Sequence, residues 1–282
     1  MVFIFRLLGR LPLAFLHGLG TCFGWLVFLA SPTYRRHLRQ NMAQAGIGGI
    51  SPWRVAAGTG CQMFELARIW CRDLAEVAPL VVDIRGLETV EAARAAGRGI
   101  VFLTPHLGCF EITAQYLSTL GDISVLYRPP KFKALQTLIE LGRKRPQLHL
   151  APADLSGVRT LIKALKKGQM VGLLPDQAPK TGEGVWLDFF GRPAYTMTLA
   201  ARLTETGATT LLVWGERLPG GRGYRLHFQP PTQPLAGETL ARAAQINREI
   251  EGLIRQCPAQ YLWGYNRYKQ PAGAEPPPGA QP

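Results

Sequence analysis

The longest apolar run lies near the start of the sequence. "LPLAFLHGLGTCFGWLVFLA", residues 11–30, carries no formal charge with His17 neutral. Its length approaches the ~20 residues that cross a bilayer as a helix. Pro12, Gly18, Gly20 and Gly24 weaken it as a long regular helix. Arg6 and Arg10 precede it, and Arg35, Arg36 and Arg39 follow it, so the positive-inside rule gives no strong orientation. Three readings stand: a membrane-embedded or interfacial anchor, a signal peptide, and a buried core helix. A signal peptide is disfavoured because no A-x-A-like cleavage site follows. Arginines beside an apolar segment suit anionic headgroups. The reading carried forward makes 1–30 a membrane-associating segment, spanning or lying on the bilayer, with an active domain in water.

Downstream, the pattern changes to short alternating elements. Residues 31–51 read as a basic connector ending in "GIGGISP". "MFELARIWCRDL", Met63 to Leu74, has the period of an amphipathic helix. "PLVVDIRGLE" predicts a strand and "ETVEAARAAG" a helix stopped by Gly97. Strand-like "GIVFLTP", "ISVLYRPP" and "QMVGLLP" then alternate with helix-like "FEITAQYLSTLG", "KALQTLIELGRKR" and "DLSGVRTLIKALKKG". "MTLAARLTETG" predicts a helix, "ATTLLVWGERL" and "YRLHFQPP" strands, and "ETLARAAQINREIEGLIRQC" a last long helix. The alternation predicts an α/β fold, a mixed and largely parallel central sheet flanked by helices, with antiparallel pairing possible among the later strands. Residues 31–270 form one domain on this reading. The tail 271–282, "PAGAEPPPGAQP", has too little apolar content to pack and reads as disordered.

Charge narrows the classes of partner. The 282 residues hold 32 basic and 19 acidic side chains, a formal charge of +13 that favours anionic partners. Nucleic acid is disfavoured, because no recognised binding module or interleaving of aromatic and basic residues appears. The five cysteines are scattered and have no zinc-ligand spacing, so a structural metal is not expected.

Three predicted strands end in residues of catalytic type. "IVFLTPH" delivers His106, "SVLYRP" Arg128 and "MVGLLPDQ" Asp176. Ligands of open α/β sheets bind beyond the carboxyl ends of the strands. If the three strands are parallel neighbours, these side chains meet on one rim. His106 and Glu111, five apart, would stand about 140° apart on one helix. They can pair only with His106 in the turn and Glu111 on the first turn of the helix behind it. The carboxylate would then fix the imidazole tautomer and leave the other nitrogen free to take a proton. The plainer alternative is a pair that satisfies backbone donors at a helix start. Asp176 could equally cap a turn, and Arg128 could be a solvated arginine. "GRKRP" at 142–146 and Lys163, Lys166 and Lys167 make basic faces, either solvated or anion-binding. "GEGVWLDFFGRPAYT", residues 182–196, reads as a loop whose aromatics either pack in the core or wall an apolar channel.

No G-x-S-x-G elbow, phosphate-binding loop, HExxH or dinucleotide fingerprint is present. The ordered set "YRRHLRQN", "HLGCFE" (an H-x4-E motif), "YRP", "GRKR", "PDQ", "FFGRPAYT" and "YLWGYNRYK", after an apolar N-terminus, resembles the bacterial lipid A biosynthesis acyltransferases. These are the late lauroyl/myristoyl transferases, and the resemblance covers about residues 1–270. It implies a glycerolipid-acyltransferase-like fold at the cytoplasmic face of the bacterial inner membrane. It implies transfer of a fatty acyl chain from acyl carrier protein to a hydroxyl of a phosphorylated glycolipid, a lipid A precursor, with no cofactor and no metal. It makes His106 the general base and Glu111 its support, and it marks Arg143 and Asp176 as functionally important. Arg128 is a looser carry-over. Cys109-Phe110 stands where many members have Asn-Trp, and "NRYK" departs mildly from the usual ending. Acylation of another glycolipid or a phospholipid precursor is the nearest alternative. A non-catalytic, membrane-associated basic binding protein is the alternative from another class.

Overall fold

The computed structural model describes residues 2–130 and 132–279. Four helices come first: α1 (Val2–Leu8), α2 (Leu13–Ala30), α3 (Pro32–Gln44) and α4 (Pro52–Cys71), followed by the short α5 (Leu74–Val77). The α/β body follows as β1 (Val81–Arg85), α6 (Leu87–Ala95), β2 (Ile100–Leu103), α7 (Phe110–Leu120), β3 (Ile123–Tyr127), α8 (Lys133–Gly142), β4 (Leu148–Pro152), α9 (Leu155–Lys166) and β5 (Met170–Leu173). It closes with β6 (Gly184–Phe189), β7 (Arg192–Met197), α10 (Leu199–Thr204), β8 (Thr209–Arg217), β9 (Tyr224–Gln229) and α11 (Thr239–Gln256).

Seven strands form one sheet in the order β1-β9-β8-β2-β5-β3-β4. The run from β8 to β4 is parallel, and β9 turns back antiparallel to β8 and carries β1 at its edge. The expected α/β fold with a largely parallel sheet is therefore present. Successive residues of a strand face opposite sides, and both sides are apolar here. Ile100, Phe102, Val125 and Val213 pack with α6, α7 and α8. Val101, Leu103, Val171 and Leu212 pack with α9, α10 and α11.

Three segments differ from expectation. The basic connector contains a helix, α3, whose start is capped by Ser31 Oγ accepting from Tyr34 N with Pro32 at its first position. The helix around Met63 begins eleven residues earlier, at Pro52. Its first half, "PWRVAAGTGCQ", is small and glycine-bearing because α2 lies directly against it, which hides the helical period. Residues 184–197 form a separate two-stranded hairpin, β6–β7, rather than a loop. Phe189 and Phe190 are buried in the core beside α11, whereas Trp186 packs edge-on against Tyr195. Of the tail read as disordered, the described part contacts this hairpin and the turn before it: Thr181 Oγ1 donates to Ala272 O (2.6 Å) and Trp186 Nε1 to Glu275 O (2.9 Å). Residues 280–282 lie outside the described residues.

Candidate active site

β2, β5 and β3 are adjacent and parallel, so their carboxyl ends open onto one rim. His106 sits three residues beyond β2, in the turn before α7, and Glu111 is the second residue of α7. This is the turn-and-first-turn arrangement that the five-residue spacing requires. The turn is held on both sides. Cys109 N donates to Gly215 O on β8 (2.7 Å), Gly108 N to Gln260 O (3.0 Å), and Leu262 N to His106 O (3.2 Å). Gly108 has φ +60°, and a Cβ there would come within 1.9 Å of Gly215 O. Only glycine satisfies both the left-handed backbone and that approach.

The partner of the imidazole is not the one the spacing suggested. Among the described residues, no hydrogen bond joins His106 to Glu111. Instead His106 Nδ1 meets Asp176 Oδ1 at 2.8 Å, and the same carboxylate accepts from the His106 backbone N–H at 2.9 Å. An ionised carboxylate only accepts, so Nδ1 donates to it and Nε2 is the nitrogen turned toward Gln177 and the cleft. Gln177 Nε2 lies 3.1 Å from Nε2, and the Phe110 ring stands 4.8 Å from the imidazole. Asp176 is almost fully buried. Burial pushes its carboxyl up, but its attraction to the imidazole in the protonated form and two hydrogen bonds from His106 outweigh this and hold it below the ordinary range. Arg267, itself buried, adds to that pull from behind. Arg267 is fixed by Tyr195 O (2.7 Å) and Thr196 Oγ1 (2.9 Å).

Glu111 belongs to a second pair. Arg143, just past the end of α8, forks onto it through Nε (3.1 Å) and Nη2, and Trp70 Nε1 of α4 donates to it at 2.9 Å. Burial raises the Glu111 carboxyl, and the Arg143 charge with these donors lowers it further than burial raises it. His106 is near enough to contribute to the same lowering. The two carboxylates therefore act at different ranges: Asp176 touches the imidazole, and Glu111 acts on it through space while anchoring Arg143.

His106, Glu111 and Arg143 line one open cleft of about 320 Å³ whose remaining wall is mostly apolar, with Leu66, Trp70 and Ile139 on it. A narrower apolar pocket of about 40 Å³ continues inward between the sheet and α7, past Ala114 and Val125. Arg128 is on the cleft wall, but its guanidinium is exposed and paired with Glu183 at 2.8 Å. It is not brought to the imidazole. Trp70, Gln177 and Arg267 escaped the sequence reading. Gln177 and Arg267 lie inside the quoted "PDQ" and "NRYK" strings, whereas Trp70 carries no local signal. Such a site can polarise and deprotonate a hydroxyl beside an apolar chain.

The sequence profile of the bacterial lipid A biosynthesis acyltransferases matches residues 1–270. The chain belongs to this family. It is 28% identical over 194 residues to the lipid A biosynthesis palmitoleoyltransferase of Escherichia coli (strain K12), covering 68% of this chain and 63% of that protein. It is 29% identical over 192 residues to the lipid A biosynthesis lauroyltransferase of the same strain, covering 66% and 61%. The match thus spans less than two thirds of these relatives' length. A phosphatidylinositol mannoside acyltransferase of Mycobacterium tuberculosis is 28% identical over 247 residues, covering 79% of this chain and 74% of that protein.

Proposed function

We propose that this family member transfers a fatty acyl chain from acyl carrier protein to a hydroxyl of a lipid A precursor, at the cytoplasmic face of the bacterial inner membrane. The observation that carries the reading is His106: its Nδ1 is held by buried Asp176 and its Nε2 faces a cleft of apolar and cationic wall. His106 Nε2 takes the acceptor hydroxyl proton as the oxygen attacks the thioester carbonyl. The tetrahedral intermediate collapses, the C–S bond breaks, and the thiolate recovers the proton from the imidazolium. Asp176 and Glu111 stabilise the cationic ring between these steps. The apolar pocket beneath Phe110 suits the start of an acyl chain, and the net charge suits an acidic carrier and a phosphorylated acceptor.

Mass spectrometry of lipid A from cells with and without the gene tests this. One added acyl chain is the expected difference, and an unchanged pattern removes the reading. His106→Ala is expected to lower transfer from acyl carrier protein by about 10²–10⁴-fold. A thiol nucleophile is the rival mechanism. Cys109 is buried, and burial pushes its thiol well above the ordinary value, away from thiolate. Cys109→Ala is therefore expected to leave turnover unchanged. Loss of turnover, with an acyl-thioester trapped on the wild-type chain, would count against direct attack. The mycobacterial relative favours a second reading, in which the acceptor is another glycolipid. Total-lipid mass spectrometry in the same pair of strains separates the two.

A further inference from the structure

Helix α2 is long and apolar enough to cross a bilayer, yet its packing points elsewhere. We propose that α2 lies in the plane of an anionic bilayer surface, docked by its outward face, and does not cross the membrane. The proposal rests on the reading of this chain as a membrane-associated enzyme.

The first observation is how α2 is held. It runs antiparallel to α4 along its whole length, from Leu13 to the Phe28–Trp53 ring contact at 4.8 Å. The approach is backbone to backbone. A Cβ on Gly20 would meet Cys61 N at 2.7 Å, on Gly24 Ala56 O at 2.1 Å, and on Gly60 Gly20 O at 1.9 Å. Small residues at such spacing let helices close to contact. A polar lock adds to this. His17 Nε2 meets Glu65 Oε2 at 3.0 Å, and Glu65 in turn binds Arg217 of β8 and Tyr224 of β9. The other side of α4 is welded to the active site: Gln62 donates to Gly108 O at 3.1 Å and Trp70 to Glu111. A spanning α2 would either drag α4, with Arg54, Glu65 and Arg68, into hydrocarbon or leave α4 and strip a buried carboxylate of a partner. Both are costly.

The second observation is what α2 presents outward. Phe15, Leu26 and Leu29 are each more than half exposed, and Phe3, Ile4 and Leu7 of α1 extend the apolar surface. Trp25 and Trp53, also exposed, are joined at one end by a 3.1 Å hydrogen bond from Trp25 Nε1 to Trp53 O, the amphipathic pair an interface favours. Charge supplies the occupant. Residues 1–64 contain six arginines (Arg6, Arg10, Arg35, Arg36, Arg39 and Arg54), no lysine and no acidic residue. Arg35 turns back to cap the end of α2 through Phe28 O (2.7 Å) and Leu29 O (2.9 Å). An apolar face ringed by cations and free of carboxylates matches anionic headgroups over acyl chains.

Depth measurement decides. Positions 15, 22 and 29 share one exposed face, and the outer two are about 21 Å apart along the axis. A bimane label is placed on native Cys22, or on F15C or L29C with Cys22 replaced by serine. Cys71 and Cys257 are serine throughout. The full-length protein is then bound to vesicles of phosphatidylglycerol and phosphatidylethanolamine. In-plane docking predicts three equal, shallow depths, about 5–10 Å below the headgroups. A label at 22 near the bilayer centre, with 15 and 29 shallower, would overturn in-plane docking while leaving membrane association standing. Binding to purely zwitterionic vesicles is expected to be at least about tenfold weaker; equal binding would overturn the anionic occupant. Failure to bind either vesicle would remove the membrane reading and the docking together. Cys22 alone needs no introduced thiol, so the contrast survives if either new variant misfolds.

Discussion

Asp176→Asn is expected to lower acyl transfer by about 10²–10⁴-fold with the fold intact. Asp176 does two things for His106, and asparagine loses both. Its carboxylate accepts from Nδ1 and the backbone N–H of His106, which sets the tautomer that leaves Nε2 basic. An amide can present its NH2 to Nδ1, which moves the ring proton to Nε2 and removes the proposed base. The amide also carries no charge to stabilise the imidazolium. Steady-state kinetics with acyl carrier protein as donor would show the loss in kcat, with KM for the acceptor little changed. Glu111→Gln makes the informative contrast. Glu111 does not touch the ring and mainly balances Arg143, so its loss should lower thermal stability and displace Arg143. Wild-type turnover in Asp176→Asn, measured by the same assay, would overturn the assignment.

The largest stability effect is expected at Glu65. This carboxylate is fully buried, and Arg217 binds it at 2.7 and 2.6 Å, with His17 and Tyr224 completing its shell. Glu65→Ala leaves the Arg217 guanidinium buried without its counter-charge, a change worth about 3–5 kcal/mol, or roughly 10 °C in Tm. Glu65→Leu combined with Arg217→Met should recover much of that, because an apolar pair of similar volume needs no compensation. Thermal denaturation of the single and double variants in mild detergent measures this. A double variant no better than the single would contradict the ion-pair account. The same network sets an acid limit. Burial raises the Glu65 carboxyl, Arg217 outweighs it, and the group is held down at about 2. A carboxylate depressed in the folded state stabilises it fully above its unfolded value, near 4.3. That contribution is lost as pH falls from there through about 2. Unfolding of Glu65→Gln should therefore depend less on pH than wild type between about 5 and 2.

The network joins α2, α4 and β8 across long stretches of chain, as the His106 turn joins β2 to β5. Here the sequence alone stopped short. Elements with a local period were readable: β2, β3 and β5 as apolar runs, α7, α8 and α9 from spacing and glycine stops, and the strand-end placement of His106, Arg128 and Asp176. The geometry of five residues was enough to put His106 in a turn and Glu111 on the next helix. What surrounds a side chain is not periodic. Asp176 reaches His106 across 70 positions and Glu111 reaches Trp70 across 41, so which carboxylate orients the imidazole depends on strand order and register, which no local pattern encodes. The same cause hid α3 and the first half of α4, whose small residues make sense only against α2, and the β6–β7 hairpin, whose Phe189 and Phe190 face the core. The residue types the chemistry needs are written in the chain. Their pairing was decided only when the sheet set β2, β5 and β3 side by side and α4 brought Trp70 to Glu111.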